Sequence, residues 1–197
     1  SRGLGDVYKR QAKFLAEVIY GKTSVSLWNR LVKREIYQLP NFIYPTNHMM
    51  EDRAYSIQIS YYAQSHGYID GPFYYYYQHS DSVCGNKSDE GMLQNFHQAS
   101  ANFTIIELFL REKQLLNEYK DALCYLEFIV RGFLIPLLKK SNKYRRLWIN
   151  SFHGGISKIW SSGSIPWMMK VISFCIIIGA YPTIYKLLYI KKTLTRQ

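Results

Sequence analysis

An α/β domain followed by an α-helical region is the fold class the sequence predicts, and three observations predict it. Two short runs, TSVSLW at 23–28 and FYYYYQ at 73–78, have the alternating, β-branched or aromatic character of strands. Helical spacing of apolar residues precedes each of them, at 12–20 and at about 50–65. From residue 91 onward the pattern is helical, with no further strand-like run.

The elements follow in order. Residues 12–20 (AKFLAEVIY) predict a short helix ending at Gly21. TSVSLWNRLVKRE opens as a strand, with Val25, Leu27 and Leu31 on one face. LPNFIYPTNH is a loop whose Asn47 is placed to cap a helix opening near Met50 and running to about Ser65. Glu51 and Asp52 then fall in its first turn, where the helix dipole favours negative charge, and Ala54, Ile57 and Tyr61 form its inner face. GYIDGP at 67–72 is turn chemistry between two short strands, the second ending near Gln78. Residues 79–90 form a polar loop; helices are expected over about 92–117 and 120–138, with shorter ones over 144–160.

Apolar residues make up 48% of the 197 and charged residues 20%, a composition that builds a core and excludes a disordered chain. The net charge of +11 is unevenly placed. Residues 1–130 carry 13 Lys and Arg against 14 Asp and Glu; residues 131–197 carry 12 Lys and Arg and no carboxylate side chain. Such a one-signed field favours an anionic partner, phospholipid or nucleic acid. Cys84, Cys124 and Cys175 are far apart and odd in number, which fits reduced thiols and neither a disulfide frame nor a zinc site. The sequons at Asn86 and Asn102 are read as chance matches.

The first eleven residues, SRGLGDVYKRQ, resemble translated adapter sequence and are set apart from the domain, leaving 12–90 as an α/β unit and 91–197 as a helical region with a basic tail.

Three pieces of the chain carry the candidate chemistry: SVSLWNRLVKREIY, then MMEDRAYSI, then GYIDGPFYYYYQHSDSV. Their order and spacing resemble the second half of the catalytic domain of family 2 glycosyltransferases, which adopt the GT-A fold, a Rossmann-like arrangement. The stations are Trp28-Asn29-Arg30-Leu31, Glu51-Asp52, Tyr75 to Tyr77 with His79, and Ser82-Val83. The likeness covers about residues 20–85. It implies an inverting transfer of sugar from a nucleotide-sugar donor to a bacterial surface polysaccharide or lipid-linked glycan. Asp52 would be the base that takes the acceptor proton, and Glu51 would position the acceptor. His79 would complete a site for a divalent metal, Mg or Mn, that neutralises the departing diphosphate. Trp28, Asn29 and Arg30 would contact substrate. Each has a structural alternative: a helix-start device for the carboxylates, a half-buried strand aromatic for Trp28, a solvated loop residue for His79.

The same likeness locates a donor-binding DxD motif in an N-terminal half, and no such motif precedes Trp28. The expectation is a C-terminal fragment, inactive by itself. The four tyrosines 74–77 would alternate across a strand, so core and cleft packing is expected of them and not a base-stacking platform. In the tail, fifteen uncharged residues (171–185) lie between Lys170 and Lys186, with Trp167 at one end and Tyr185 and Tyr189 at the other. A helix lying in an anionic membrane surface, or a helical hairpin broken at Gly179 and Pro182, is favoured over a span. That places the protein peripherally on the cytoplasmic face of the bacterial inner membrane. The long apolar run argues against nucleic acid as partner. The competing reading is a non-enzymatic, basic, membrane-peripheral helical protein.

Overall fold

The computed structural model describes residues 4–75, 77, 88–151 and 156–180, with side chains from residue 12 onward. Every regular element among the described residues is helical. These are α1 (Leu4–Tyr20), α2 (Arg34–Tyr37), α3 (Glu51–Tyr62), α4 (Asp89–Glu112), α5 (Lys120–Arg131), a 3-10 helix (Gly132–Leu137), α6 (Asn142–Asn150), α7 (Ser157–Ser161) and α8 (Trp167–Ile178). The α/β expectation is therefore corrected to an all-α arrangement: the described residues contain no Rossmann-like sheet.

The two strand-like runs explain the correction. Val25 is tied to a helix and not to a strand, through its carbonyl, which accepts from Ser56 Oγ at 2.8 Å. Residues 27–30 turn instead of extending, with Arg30 N–H donating to the Leu27 carbonyl at 3.1 Å. Leu31, assigned to an inner face, is exposed. The turn expected before the second run is present at Gly71, whose φ of +143° suits glycine. Beyond it Phe73, Tyr75 and Tyr77 stand in solvent, against the expectation of core and cleft packing. Strand-forming side chains build a strand where a second strand offers its backbone, and an isolated pair is marginal in water.

The helical expectations fare differently. α1 stops at Gly21, in the left-handed region at φ +69°. A Cβ there would also meet the Arg53 guanidinium at 3.0 Å. That guanidinium donates to the Ile19 carbonyl at 3.0 Å and so closes the end of α1. α4 is capped by Ser88, whose Oγ accepts from Gly91 N–H at 3.0 Å, and Asp89 and Glu90 lie in its first turn. Its inner stripe, Phe96, Ala99, Phe103, Ile106, Phe109 and Leu110, keeps the three-and-four spacing of a buried helix face. The long helix expected over 120–138 ends at Arg131 and tightens into the 3-10 segment, which contains Pro136. α8 stops at Gly179, with φ of +79° and Ala180 N–H donating to the Cys175 carbonyl at 2.8 Å.

α1 packs on α3 and α5, and α4 on α3, α5 and the 3-10 helix; α6 reaches both the 3-10 helix and α8, against which α7 also lies. One hydrophobic core runs through them, from Leu15, Val18 and Ile19 through Ile57, Phe109, Leu126 and Trp148 to Ile176. Cys124 and Cys175 are free and buried. Asn102 is fully buried, which bars it from being a glycan acceptor and supports the chance reading of its sequon.

Candidate functional site

α3 organises the site. Its first turn carries Glu51 and Asp52, and its later turns hold the two loops that flank them. Ser56 holds the 22–33 loop through Val25. Gln58, buried, pairs with both backbone groups of Ile43: its Oε1 accepts from Ile43 N–H at 2.7 Å and its Nε2 donates to Ile43 O at 2.8 Å. That side-chain amide takes the place of a neighbouring strand for the 38–47 loop.

The entry into α3 is held from α4. Asn102 Nδ2 donates to the carbonyls of Asn47 and Met49, both at 2.8 Å, and Gln98 Oε1 accepts from Met49 N–H at 3.2 Å. Met50 then turns through the left-handed region, φ +64°, a conformation that costs a non-glycine residue about 1–2 kcal/mol. Met50 therefore occupies the cap position expected of Asn47, and it makes no side-chain cap bond. The strain falls on the residue immediately before the carboxylate pair.

The two carboxylates differ. Glu51 lies 3.5 Å from His48 Nδ1. Burial raises its pKa, the His48 charge opposes that rise, and the neighbouring Asp52 adds to it. Burial also raises the Asp52 pKa, against the lowering effects of the Leu27 backbone N–H and the Arg30 charge. The sequence reading relied on the helix start to keep Asp52 ionised; burial is the larger influence. A carboxylate whose pKa lies above its ordinary value is a better proton acceptor than a fully solvated one.

The 27–30 turn brings the remaining candidates to this place. Leu27 faces Asp52 with its backbone, so Trp28 stands one residue from the carboxylate's donor. The Trp28 indole is 45% exposed and lies 4.6 Å, centroid to centroid, from the Tyr74 ring, inclined at 31°. Asn29 Nδ2 donates to Ser24 Oγ at 3.3 Å, and Arg30 donates to the Ser24 carbonyl, so both brace the turn they sit on. The Arg30 charge is felt by Asp52, Tyr37 and His66. His66 stacks on Phe14 at 4.0 Å, and burial followed by Arg30 lowers its pKa. Trp28, Arg30, Glu51 and Asp52 are thus gathered around the start of α3. His79, Ser82 and Val83 lie outside the described residues. Among the described residues no three His, Cys, Asp or Glu side chains form a metal-binding group.

Tyr74 and the two buried amides, Gln58 and Asn102, were missed by sequence reasoning. Asn102 did carry a signal: a polar residue between Ala99 and Ile106 on an otherwise apolar stripe. Tyr74 carried none that separated it from its three neighbours.

No family model matches the chain, and no solved structure matches it significantly. Among curated proteins it is similar to "Putative glycosyltransferase EpsH" of Bacillus subtilis (strain 168). The two are 26% identical over 151 residues, an alignment covering 73% of this chain and 42% of that protein. The chain thus spans less than half the length of the relative it matches. This likeness suggests a glycosyltransferase role and goes no further.

Proposed function

We propose that this region carries the acceptor side of an inverting, family 2 glycosyltransferase, with Asp52 as its base. In the whole protein the donor is a nucleotide-sugar and the acceptor a bacterial surface polysaccharide or lipid-linked glycan. Asp52 takes the proton of an acceptor hydroxyl. The freed oxygen attacks the anomeric carbon from the face opposite the leaving group, the bond from that carbon to the diphosphate breaks, and the nucleoside diphosphate leaves. Glu51, beside His48, positions the acceptor. Arg30 keeps Asp52 ionised against its burial, and the Trp28–Tyr74 pair offers an aromatic wall to a sugar ring.

The observation that carries the reading is the setting of Asp52: at a helix start, its pKa raised by burial, faced by Arg30 and the Leu27 backbone N–H. The test is sugar-nucleotide turnover by the complete protein with Asp52→Asn and Asp52→Glu. Loss of turnover in Asp52→Asn, with partial retention in Asp52→Glu and unchanged folding, is expected. Wild-type turnover by Asp52→Asn would leave the carboxylate pair as a helix-start device.

A further inference from the structure

α8 has two apolar faces where the core uses one. Met169, Ile172, Cys175 and Ile176 are buried. Trp167, Val171, Phe174 and Ile178 follow one another at spacings of four, three and four, which places them on a single stripe. Trp167 is 69% exposed, Phe174 49% and Ile178 58%, with Val171 half-buried. Trp160 of α7, also exposed, meets Phe174 edge-on at 6.4 Å and widens the stripe. Lys170 reaches back from α8 to the Trp160 carbonyl at 3.1 Å, so an ammonium group lies at its border.

Charge decides what covers such a face. The elements packed against α8 carry Lys143, Arg145 and Arg146 on α6 and Lys158 on α7, and no carboxylate. Arg145 is committed to the carbonyls of Ile176 and Ile177 at the end of α8; Lys143, Arg146 and Lys158 are exposed. A second copy docking through the same face would set like charges against each other. An anionic bilayer offers apolar depth and negative charge together, and tryptophans at a polar border suit its headgroup level. No helix among the described residues is long and apolar enough to cross a membrane. A helix lying in the plane of the surface needs no such length.

We propose that the Trp167, Val171, Phe174 and Ile178 stripe of α8, with Trp160 beside it, is a docking surface for an anionic phospholipid bilayer. The helix lies in the interface, its stripe among the upper acyl carbons, with Lys158 and Lys170 at the lipid phosphates. This surface is independent of the carboxylate site and stands or falls separately from it.

The test is flotation of the full 197-residue chain with vesicles of phosphatidylglycerol and phosphatidylcholine, compared with vesicles of phosphatidylcholine alone. Binding to the anionic vesicles, weakened by salt, and quenching of tryptophan fluorescence by brominated acyl chains are expected. A Phe174→Gln, Ile178→Gln double variant alters exposed positions, so it should fold, with circular dichroism as the check, and bind at least about tenfold more weakly. Lys158→Gln with Lys170→Gln should reduce the preference for anionic lipid. Absence of vesicle binding, equal binding by the double variant, or equal affinity for neutral vesicles would overturn the proposal. So would dimerisation abolished by the double variant without lipid binding, which would assign the stripe to a second copy.

Discussion

The segment around the carboxylate pair and the helical stack that follows it are held by different forces. Between α1 and α3 the chain has four residues of regular structure, in α2, and there a few directed bonds, Ser56 to Val25, Gln58 to Ile43, Asn102 to Asn47 and Met49, add to the burial of Phe42 and Met49 in fixing its path. From α4 onward, helix faces bury apolar side chains against one another in contacts that have no required direction. Directed bonds fix a geometry at small net energy, whereas undirected burial gives most of the stability. Position of the site and stability of the fold are therefore separable, and substitutions can break one without the other.

Asp52→Asn tests the first side most directly. Turnover in the complete protein should fall about 10²- to 10⁴-fold, measured as kcat per folded molecule. The same variant has a signature in stability. Burial raises the folded-state pKa of Asp52, so its stabilising contribution is present below the ordinary aspartate value, about 3.9, and is lost as pH rises through the folded value. Urea unfolding of the wild type relative to Asp52→Asn should therefore weaken as pH is raised from about 4 toward neutrality. An opposite trend would show that Leu27 and Arg30 outweigh burial.

Leu126→Ala probes the second side. Leu126 is fully buried on α5, and its truncation should cost about 2–5 kcal/mol of unfolding free energy while leaving kcat per folded molecule intact. Asn102→Ala crosses the two. It leaves the Asn47 and Met49 carbonyls without their donor, should cost about 1–3 kcal/mol, and should lower turnover without touching substrate. Unchanged turnover there would mean that Met50 holds its left-handed turn without help from Asn102. The smallest effect is expected of Arg30→Gln. Removing that charge raises the Asp52 pKa further, so the acidic limb of the pH–rate profile should move to higher pH.

The position of the carboxylate pair was legible because helix starts are local. Glu51 and Asp52 open α3 as their sequence setting indicated, and Gly21 ends α1 as expected; a break at Gly179 was one of two alternatives, and α8 ends there. Asp52's burial, the Trp28–Tyr74 contact and the cap at Met50 were not legible. Each depends on residues distant in sequence or on a loop path set by α4. The relation of Asn47 to its helix shows the limit well: the right residue type stands near the right place, yet its carbonyl is held by Asn102 and the cap position falls to Met50.

By itself the sequence determined the helices, through apolar spacing and glycine stops that act over a few residues, and it determined the basic, carboxylate-free character of the last third. The tertiary structure alone decided whether strand-like side chains become strands, because a strand is satisfied by a neighbour's backbone and no local pattern supplies one. Among the described residues the 23–28 run is held instead by Ser56 of α3 through the Val25 carbonyl, while the tyrosine-rich run remains exposed. The structure likewise decided which face of α8 is buried, since a helix apolar on both sides carries no local mark of the side the core will use.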